Sequence, residues 1–320
     1  MSELIAKLRQ LRAEAGQTSS PRLPSCAPSP PSTPSLPVRP EDHQATPSDQ
    51  AARRMPSSLA VSRRAMSPEV RQLLRRHVQL KQGASIRGSD DRIVPGVELS
   101  PGLRFTELFV DWLTPPSSIE TAFARWPEPV ATRRLLHFDT ETTGLAGGTG
   151  TRAFMIGAAD WLADGRLRLR QLTTTSMAAE CAMLRTFAQW IEPDTVLVSY
   201  NGKCYDAPLL RTRYRLARLA DPLAGLGHLD LLHPVRRHWK GRWENCRLAT
   251  AERQLLGVVR EDDLPGSEAP AAWLSYLRGG SAKDLRRVAE HNAQDLKSLA
   301  GVLLYMSALG DIPGASGPRR

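Results

Sequence analysis

The stretch "LLHFDTETTGLAGGTGTRAF", residues 135–154, decides the fold. An apolar run carries into two acids one residue apart, Asp139 and Glu141, and then into a glycine-rich turn. "RRLLHFDTE" reads as a strand. Side chains alternate along a strand, so residues two apart leave it on one face. Two carboxylates side by side repel, and burial raises the cost. A divalent cation relieves it, because Mg²⁺ takes hard oxygen ligands from one or two carboxylates together with waters and phosphates. Taken alone, the pair also suits a strand end opening into solvent, where two charges cost little.

Two later segments supply partners. In "SYNGKCYDAPLL" (199–210), Asp206 follows a strand and turn and precedes an amphipathic helix with Pro208 in its first turn. Taken alone it is a helix cap, yet a carboxylate at a strand–helix junction also points into the crevice beyond the sheet edge. Asn201 ends the preceding strand and is placed to hydrogen-bond a substrate or orient a neighbour. In "LRRVAEHNAQDLKSLAGVLLYM" (285–306), His291 and Asp295 are four apart and therefore stack on one helix face; Leu285, Val288, Leu296 and Leu299 mark the buried side. A surface His–Asp pair is the plain alternative there. Together the segments provide four carboxylates and a titratable base. Two-metal phosphodiester hydrolysis uses that set: acids hold two cations about 4 Å apart, one generating hydroxide and the other stabilising the leaving oxygen, while a histidine takes the proton of the water.

The surrounding pattern predicts an α/β fold. "AFMIGAADWLADGRLRLRQLTTT" gives two apolar segments around Asp164-Gly165, a tight-hairpin dipeptide. "AAECAMLRTFAQWIE" reads as an amphipathic helix, "TVLVSYNG" as a strand, "DAPLLRTRYRLARL" as a helix and "HLDLLH" as a short strand, with the remainder mostly helical. Strands joined by hairpins, then helix–strand–helix–strand, predict a mixed sheet flanked by helices. Earlier, "DRIVPGVELSPGLRFTELFVDW" reads as short strands and turns, and "SPEVRQLLRRHVQLKQ" (67–82) as a helix started by Ser67 and Pro68.

Of 320 residues, the first 60 hold ten of the 25 prolines and little apolar periodicity, so 1–62 is expected to be a disordered Pro-rich region with a short helix at 2–15. The expected divisions are that region, a lead-in of helix and short strands at 63–130, the core at 131–308 and a disordered tail at 309–320. No run approaches the roughly 20 apolar residues of a membrane span, and no secretory signal is present, so a soluble protein with no membrane partner is expected. The four cysteines form no CxxC pair; a reducing, cytoplasmic setting is expected rather than a disulfide framework or zinc site. The net charge of +10 suits a polyanion such as nucleic acid. "HPVRRHWKGRWENCR" (233–247) interleaves Arg236 and Arg242 with Trp239 and Trp243, cations for phosphates and aromatics for bases of a single strand; a helix that buries the tryptophans is equally consistent. The glycine turn would let backbone and threonine groups, with Thr149 or Thr151 foremost, approach a terminal nucleotide.

"FDTETTGL", "YNGKCYD" and "HNAQD" resemble the three motifs of the DEDD exonuclease superfamily. "DTETTGLAGGTGTRAFMIG", "LVSYNGKCYDAPLLRTRYRL", "HLDLLHP", "REDDLPGSEAP" and "EHNAQDLKSLA" are similar to the YprB-type ribonuclease H-like domain, in the same order across about residues 95–305. The resemblance implies a ribonuclease H-like fold and 3′→5′ exonuclease activity on single-stranded DNA or RNA. Two Mg²⁺ or Mn²⁺ ions would be held by Asp139, Glu141, Asp206 and Asp295, with His291 as general base. Thr142, Gly144, Leu145, Thr149, Asn201, Arg236, Trp239 and Arg242 are the expected substrate contacts. The base lies four residues before the last acid, where the tyrosine-type layout carries tyrosine rather than histidine. A structure-specific endonuclease on the same core, or a binding module with a vestigial site, remain alternatives. The Pro-rich region would be a tether or a protein-partner segment.

Overall fold

Leu135, Leu136, His137 and Phe138 are all buried, so the strand that carries the first two acids is covered on both faces. The computed structural model describes residues 91–112, 114–144 and 150–309. The expected disordered region 1–62 with its helix at 2–15, the helix at 67–82, Leu145 and Thr149 of the glycine turn, and residues 310–320 of the tail lie outside the described residues.

The strands are β1 (Val97–Ser100), β2 (Leu103–Val110), β3 (Ser118–Ile119), β4 (Val130–Ala131), β5 (Leu135–Thr142), β6 (Ala153–Trp161), β7 (Leu167–Thr174), β8 (Val196–Ser199) and β9 (Gly227–Asp230). Seven of them form one mixed sheet in the order β1-β2-β7-β6-β5-β8-β9, and β3 pairs with β4 apart from it. β8 and β9 run parallel to β5, and the remaining pairs of the large sheet are antiparallel. The hairpin between β6 and β7 turns where the sequence predicts, with Gly165 in the left-handed region at φ +87°. β1 and β2, read from sequence only as short strands leading into the core, hydrogen-bond into this sheet through β7. β9 stops at Asp230 rather than running through "HLDLLH", because a helix begins at Leu232.

The helices are α1 (Glu180–Ala188), α2 (Asp206–Leu216), α3 (Leu232–Trp239), α4 (Leu248–Ala251), α5 (Ala269–Leu277) and α6 (Lys283–Leu309). One turn of π-helix, Glu252–Leu256, continues α4. On one face of the sheet, Leu136, Phe138 and Leu197 pack against Leu184 and Phe187 of α1 and Leu210 of α2. On the other, Leu135, Ala159 and Val198 pack against Leu296, Leu299 and Leu303 of α6. α5 closes the end of that layer, with Trp273 stacked on Phe154 at 5.2 Å. Among the described residues, no helix is long and apolar enough to cross a membrane.

One cross-strand row fixes how α6 sits. Asp139, Gly157 and Gln171 are partners on β5, β6 and β7. The fully buried Asn292 of α6 lies over the glycine in the middle of that row. Its Nδ2 donates to Asp139 Oδ2 at 2.8 Å, and its Oδ1 accepts from Gln171 Nε2 at 2.9 Å. A Cβ at position 157 would overlap the Asn292 amide and come within 2.9 Å of Leu296 Cδ1. Gly157→Ala is therefore expected to lower stability by about 1–3 kcal/mol, the usual range for overpacking. Urea unfolding measures this as a lower midpoint at unchanged slope; an unchanged midpoint would mean that α6 shifts without cost.

Candidate active site

Asp139 and Glu141 leave β5 on the face that α6 covers. Burial pushes the Asp139 carboxyl well above the usual range, and the charges of Asp295, Asp206 and Glu141 push the same way, against the hydrogen bond from Asn292. Glu141 is raised to about 8, again by burial first, with Asp295, Asp206 and Asp263 adding to it and His291 opposing. The three segments singled out in sequence thus meet within electrostatic reach of one another.

Asp206 is brought there by the turn between β8 and α2. Asn201 adopts the left-handed conformation, φ +72°. Its backbone N–H donates to Asp230 Oδ1 at 2.7 Å, and that of Lys203 donates to Asp230 Oδ2 at 3.0 Å. Asp230 Oδ1 also accepts from Leu232 N at 3.1 Å, so one carboxylate ties the turn to the start of α3. Gly202 is required, since a Cβ there would lie 2.6 Å from Ser199 Cβ and 3.1 Å from Asp206 Oδ2. Asp206 is the first residue of α2 rather than its cap, and its Oδ1 accepts the Thr140 hydroxyl. Burial raises it to about 6, with the Thr140 bond working against the rise.

From α6 come His291 and Asp295, stacked as their spacing predicts, with Nε2 and Oδ2 3.5 Å apart. His291 Nδ1 lies 2.7 Å from Asp263 Oδ1. An ionised carboxylate only accepts, so Nδ1 carries the hydrogen of that bond and Nε2 is turned toward Asp295. Burial lowers the affinity of His291 for a proton, but the Asp263 hydrogen bond and the charges of Asp295 and Glu141 outweigh it, giving a value of about 9. Asp263 responds in kind: burial raises it, yet His291 and Arg260 hold it below the usual range.

Of the expected substrate contacts, Thr142 and Gly144 sit at the mouth of the glycine turn, where Thr142 Oγ1 donates to the Gly144 carbonyl at 2.9 Å. Arg152, on the far side of that turn, pairs with Glu180, which also takes the Arg213 guanidinium at 2.5 Å. Arg236 and Arg242 are exposed. Trp239 is carried inward: it is buried, stacked on Trp243 at 4.8 Å and beside Tyr305, because it shares the apolar face of α3 with Leu232 and Val235. It presents no free face to a base. Exposed Lys203 and Tyr205 flank the turn before Asp206 and were not singled out from sequence. Sequence reasoning also missed Asn292, Arg260, Asp263 and Glu252, although "REDDLPG" showed the arginine and acid together.

Among the described residues, no three or more His, Cys, Asp or Glu side chains converge as a formed cation site. The acids are turned to protein donors instead: Asp139 to Asn292, Asp206 to Thr140 and Asp295 to Arg260. The donor set nevertheless fits hard divalent ions, being carboxylate oxygen without thiolate. The raised carboxyls reflect burial first and mutual repulsion second, and a cation would offset both.

A family model described as RNase_H superfamily matches residues 136–307, more than half of the chain. The chain belongs to the RNase H superfamily. The RNase H match runs from the second residue of β5 into the last turn of α6, so β1 and β2 lie outside it. Over 174 residues the chain is 38% identical to "Uncharacterized protein YprB" of Bacillus subtilis (strain 168), a match covering 54% of this chain and 42% of that protein. The match thus spans less than half the length of that relative. Solved structures similar in fold include the family B DNA polymerase of Pyrobaculum calidifontis, with 18% identity, 55% of this chain, 25% of that chain and a TM-score of 0.42. Another is E. coli exonuclease I in complex with a dT13 oligonucleotide, with 16% identity, 48% of this chain, 42% of that chain and a TM-score of 0.34.

The raised carboxyl of Glu141 has a consequence for stability. The unfolded chain ionises this group near its ordinary 4.5, whereas the fold keeps it protonated up to about 8. The folded state holds the extra proton between those values, so stability falls as pH rises through that window. With divalent ions removed by EDTA, Glu141→Gln is expected to raise the thermal midpoint over wild type at pH 8 and to leave it nearly unchanged at pH 4.5. The gain is bounded by about 1.4 kcal/mol for each unit of pH crossed. Equal midpoints at pH 8 would show that the carboxyl is not strained by its surroundings.

Proposed function

We propose that the protein is a metal-dependent nuclease that hydrolyses phosphodiester bonds of single-stranded nucleic acid, working from the 3′ end. The observation that carries this reading is the meeting of Asp139, Glu141, Asp206 and Asp295, from three distant segments, on an RNase H sheet. In this reading the four acids hold two Mg²⁺ or Mn²⁺ ions. Such ions, when bound, supply an activated water and charge stabilisation at the phosphate.

The remaining work falls to the chain's own residues. Asp263 holds the Nδ1 hydrogen of His291, which leaves Nε2 to receive a proton on the side of the acids. Asp295, whose charge helps keep His291 protonated, is itself a ligand in this reading, so its neutralisation brings the imidazole back toward the range of a general base. Thr142, Gly144 and Asn201 border the acids and are assigned to the terminal nucleotide. Exposed Arg236 and Arg242 are assigned to the backbone phosphates that follow it.

The test uses 5′-labelled single-stranded DNA and RNA oligonucleotides with Mg²⁺, Mn²⁺ or EDTA. Wild type is expected to produce a metal-dependent ladder that shortens from the 3′ end, and to leave a circular single strand intact. Asp139→Ala and Asp206→Ala are each expected to slow the reaction at least about a hundredfold, since a bound ion contributes several kcal/mol to the transition state. Variants as fast as wild type would mean that the site is misassigned. Cleavage of the circle would favour an endonuclease on the same core.

A further inference from the structure

Arg260 belongs to the loop between the π-turn and α5, and its side chain is only 11% exposed. Its guanidinium is shared among carboxylates from three elements. Nε and Nη2 donate to the two oxygens of Glu252 at 2.6 and 2.9 Å, a two-point fork. Nη2 also donates to Asp295 Oδ1. Nη1 donates to Asp263 Oδ2 at 3.2 Å and lies 3.2 Å from His291 Nδ1. Glu252, the first residue of the π-turn, has a side chain 1% exposed and accepts a further hydrogen bond from Ser298 of α6. A guanidinium has five N–H groups. Four are spent on acids, and the fifth lies beside the imidazole Nδ1, whose own hydrogen is given to Asp263.

That saturation separates two roles. An arginine that clamps a phosphate keeps a free fork for it; this one has none. We propose that Arg260 is a positioning residue: locked to Glu252, it fixes the Asp295 carboxylate directly and the His291 imidazole through Asp263, so that both face Asp139 and Glu141. The assignment rests on the metal-site reading above and adds to it the residue that sets the geometry of its α6 half. The π-turn is part of the device. Glu252 opens that turn, and there its carboxylate meets both Arg260 and Ser298.

Positioning and simple charge balance predict opposite signs. If Arg260 only offset nearby acids, a weaker fork would leave Asp295 freer for a cation and Mn²⁺ would bind tighter. If Arg260 positions Asp295, Mn²⁺ binds more weakly, by about tenfold or more, the usual effect of losing a residue that orients a ligand. Calorimetric titration of Mn²⁺ into the full chain reads the sign. Arg260→Lys keeps the charge and loses the planar fork. It is expected to bind Mn²⁺ about tenfold more weakly and to lose kcat, with KM for an oligonucleotide within about threefold of wild type. Binding as tight as wild type, or tighter, overturns the positioning role. If Arg260→Lys does not keep its native circular dichroism, Glu252→Gln makes the same test with the guanidinium present: weaker Mn²⁺ binding supports the role and unchanged binding overturns it. Asp139→Ala is the reference. If wild type and Asp139→Ala take up Mn²⁺ alike, the metal-site reading fails and this inference fails with it. If only Asp139→Ala loses binding while Arg260→Lys matches wild type, positioning alone fails.

Discussion

Asp139 and Glu141 leave the central strand side by side on its covered face, so their repulsion acts where water is scarce. The elements nearby answer that repulsion. Asn292 brings an amide to Asp139, and Gly157 exists as glycine so that the amide can lie flat on the sheet. Thr140 reaches from the opposite face of the same strand to Asp206. On the far side of Asp295, Arg260 adds a permanent positive charge beside that of His291 and is held in turn by the carboxylate of Glu252. A close-packed core of leucines and valines supports all of this.

The parts of this site that depend on local spacing were readable from the chain. Alternation along a strand put Asp139 and Glu141 together, and a four-residue step put His291 over Asp295. The strand–turn–helix around Asp206 was likewise visible, because Gly202 and Pro208 punctuate it. The contribution of Arg260 was not, since nothing in "REDDLPG" says where the loop folds back or which acids it meets. Glu252 was hidden for a related reason: its partners, Arg260 and Ser298, come from a later loop and from α6. Asn292 lay between two residues already noticed, and its purpose depends on a glycine 135 positions earlier in the chain. Pairing of β2 with β7 is equally non-local and leaves no short-range mark. Trp239 is a different case, because its step from Leu232 and Val235 already placed it on the apolar side of a helix.

The turn at 200–205 shows how a surface feature is given rigidity. Three backbone N–H groups converge on the single carboxylate of Asp230, two from the turn and one from the start of α3. Asp230 itself ends a buried parallel strand. The position of Asp206 is therefore set by β9, the outermost strand on that side of the sheet, as well as by its own helix. Tyr205 and Lys203 project from this braced turn into solvent.

The long helix α6 is the last element of the described chain, yet it lies against strands made more than a hundred residues earlier. During synthesis, β5 to β7 can pair as hairpins while Asp139 and Glu141 still stand in water as ordinary carboxylates. Only when residue 295 has left the ribosome can α6 cover them. A chain stopped before that point carries Asp139, Glu141 and Asp206 without Asp295 or the full helix that covers them. The charged centre therefore stays unassembled until α6 has been made and has docked on the sheet.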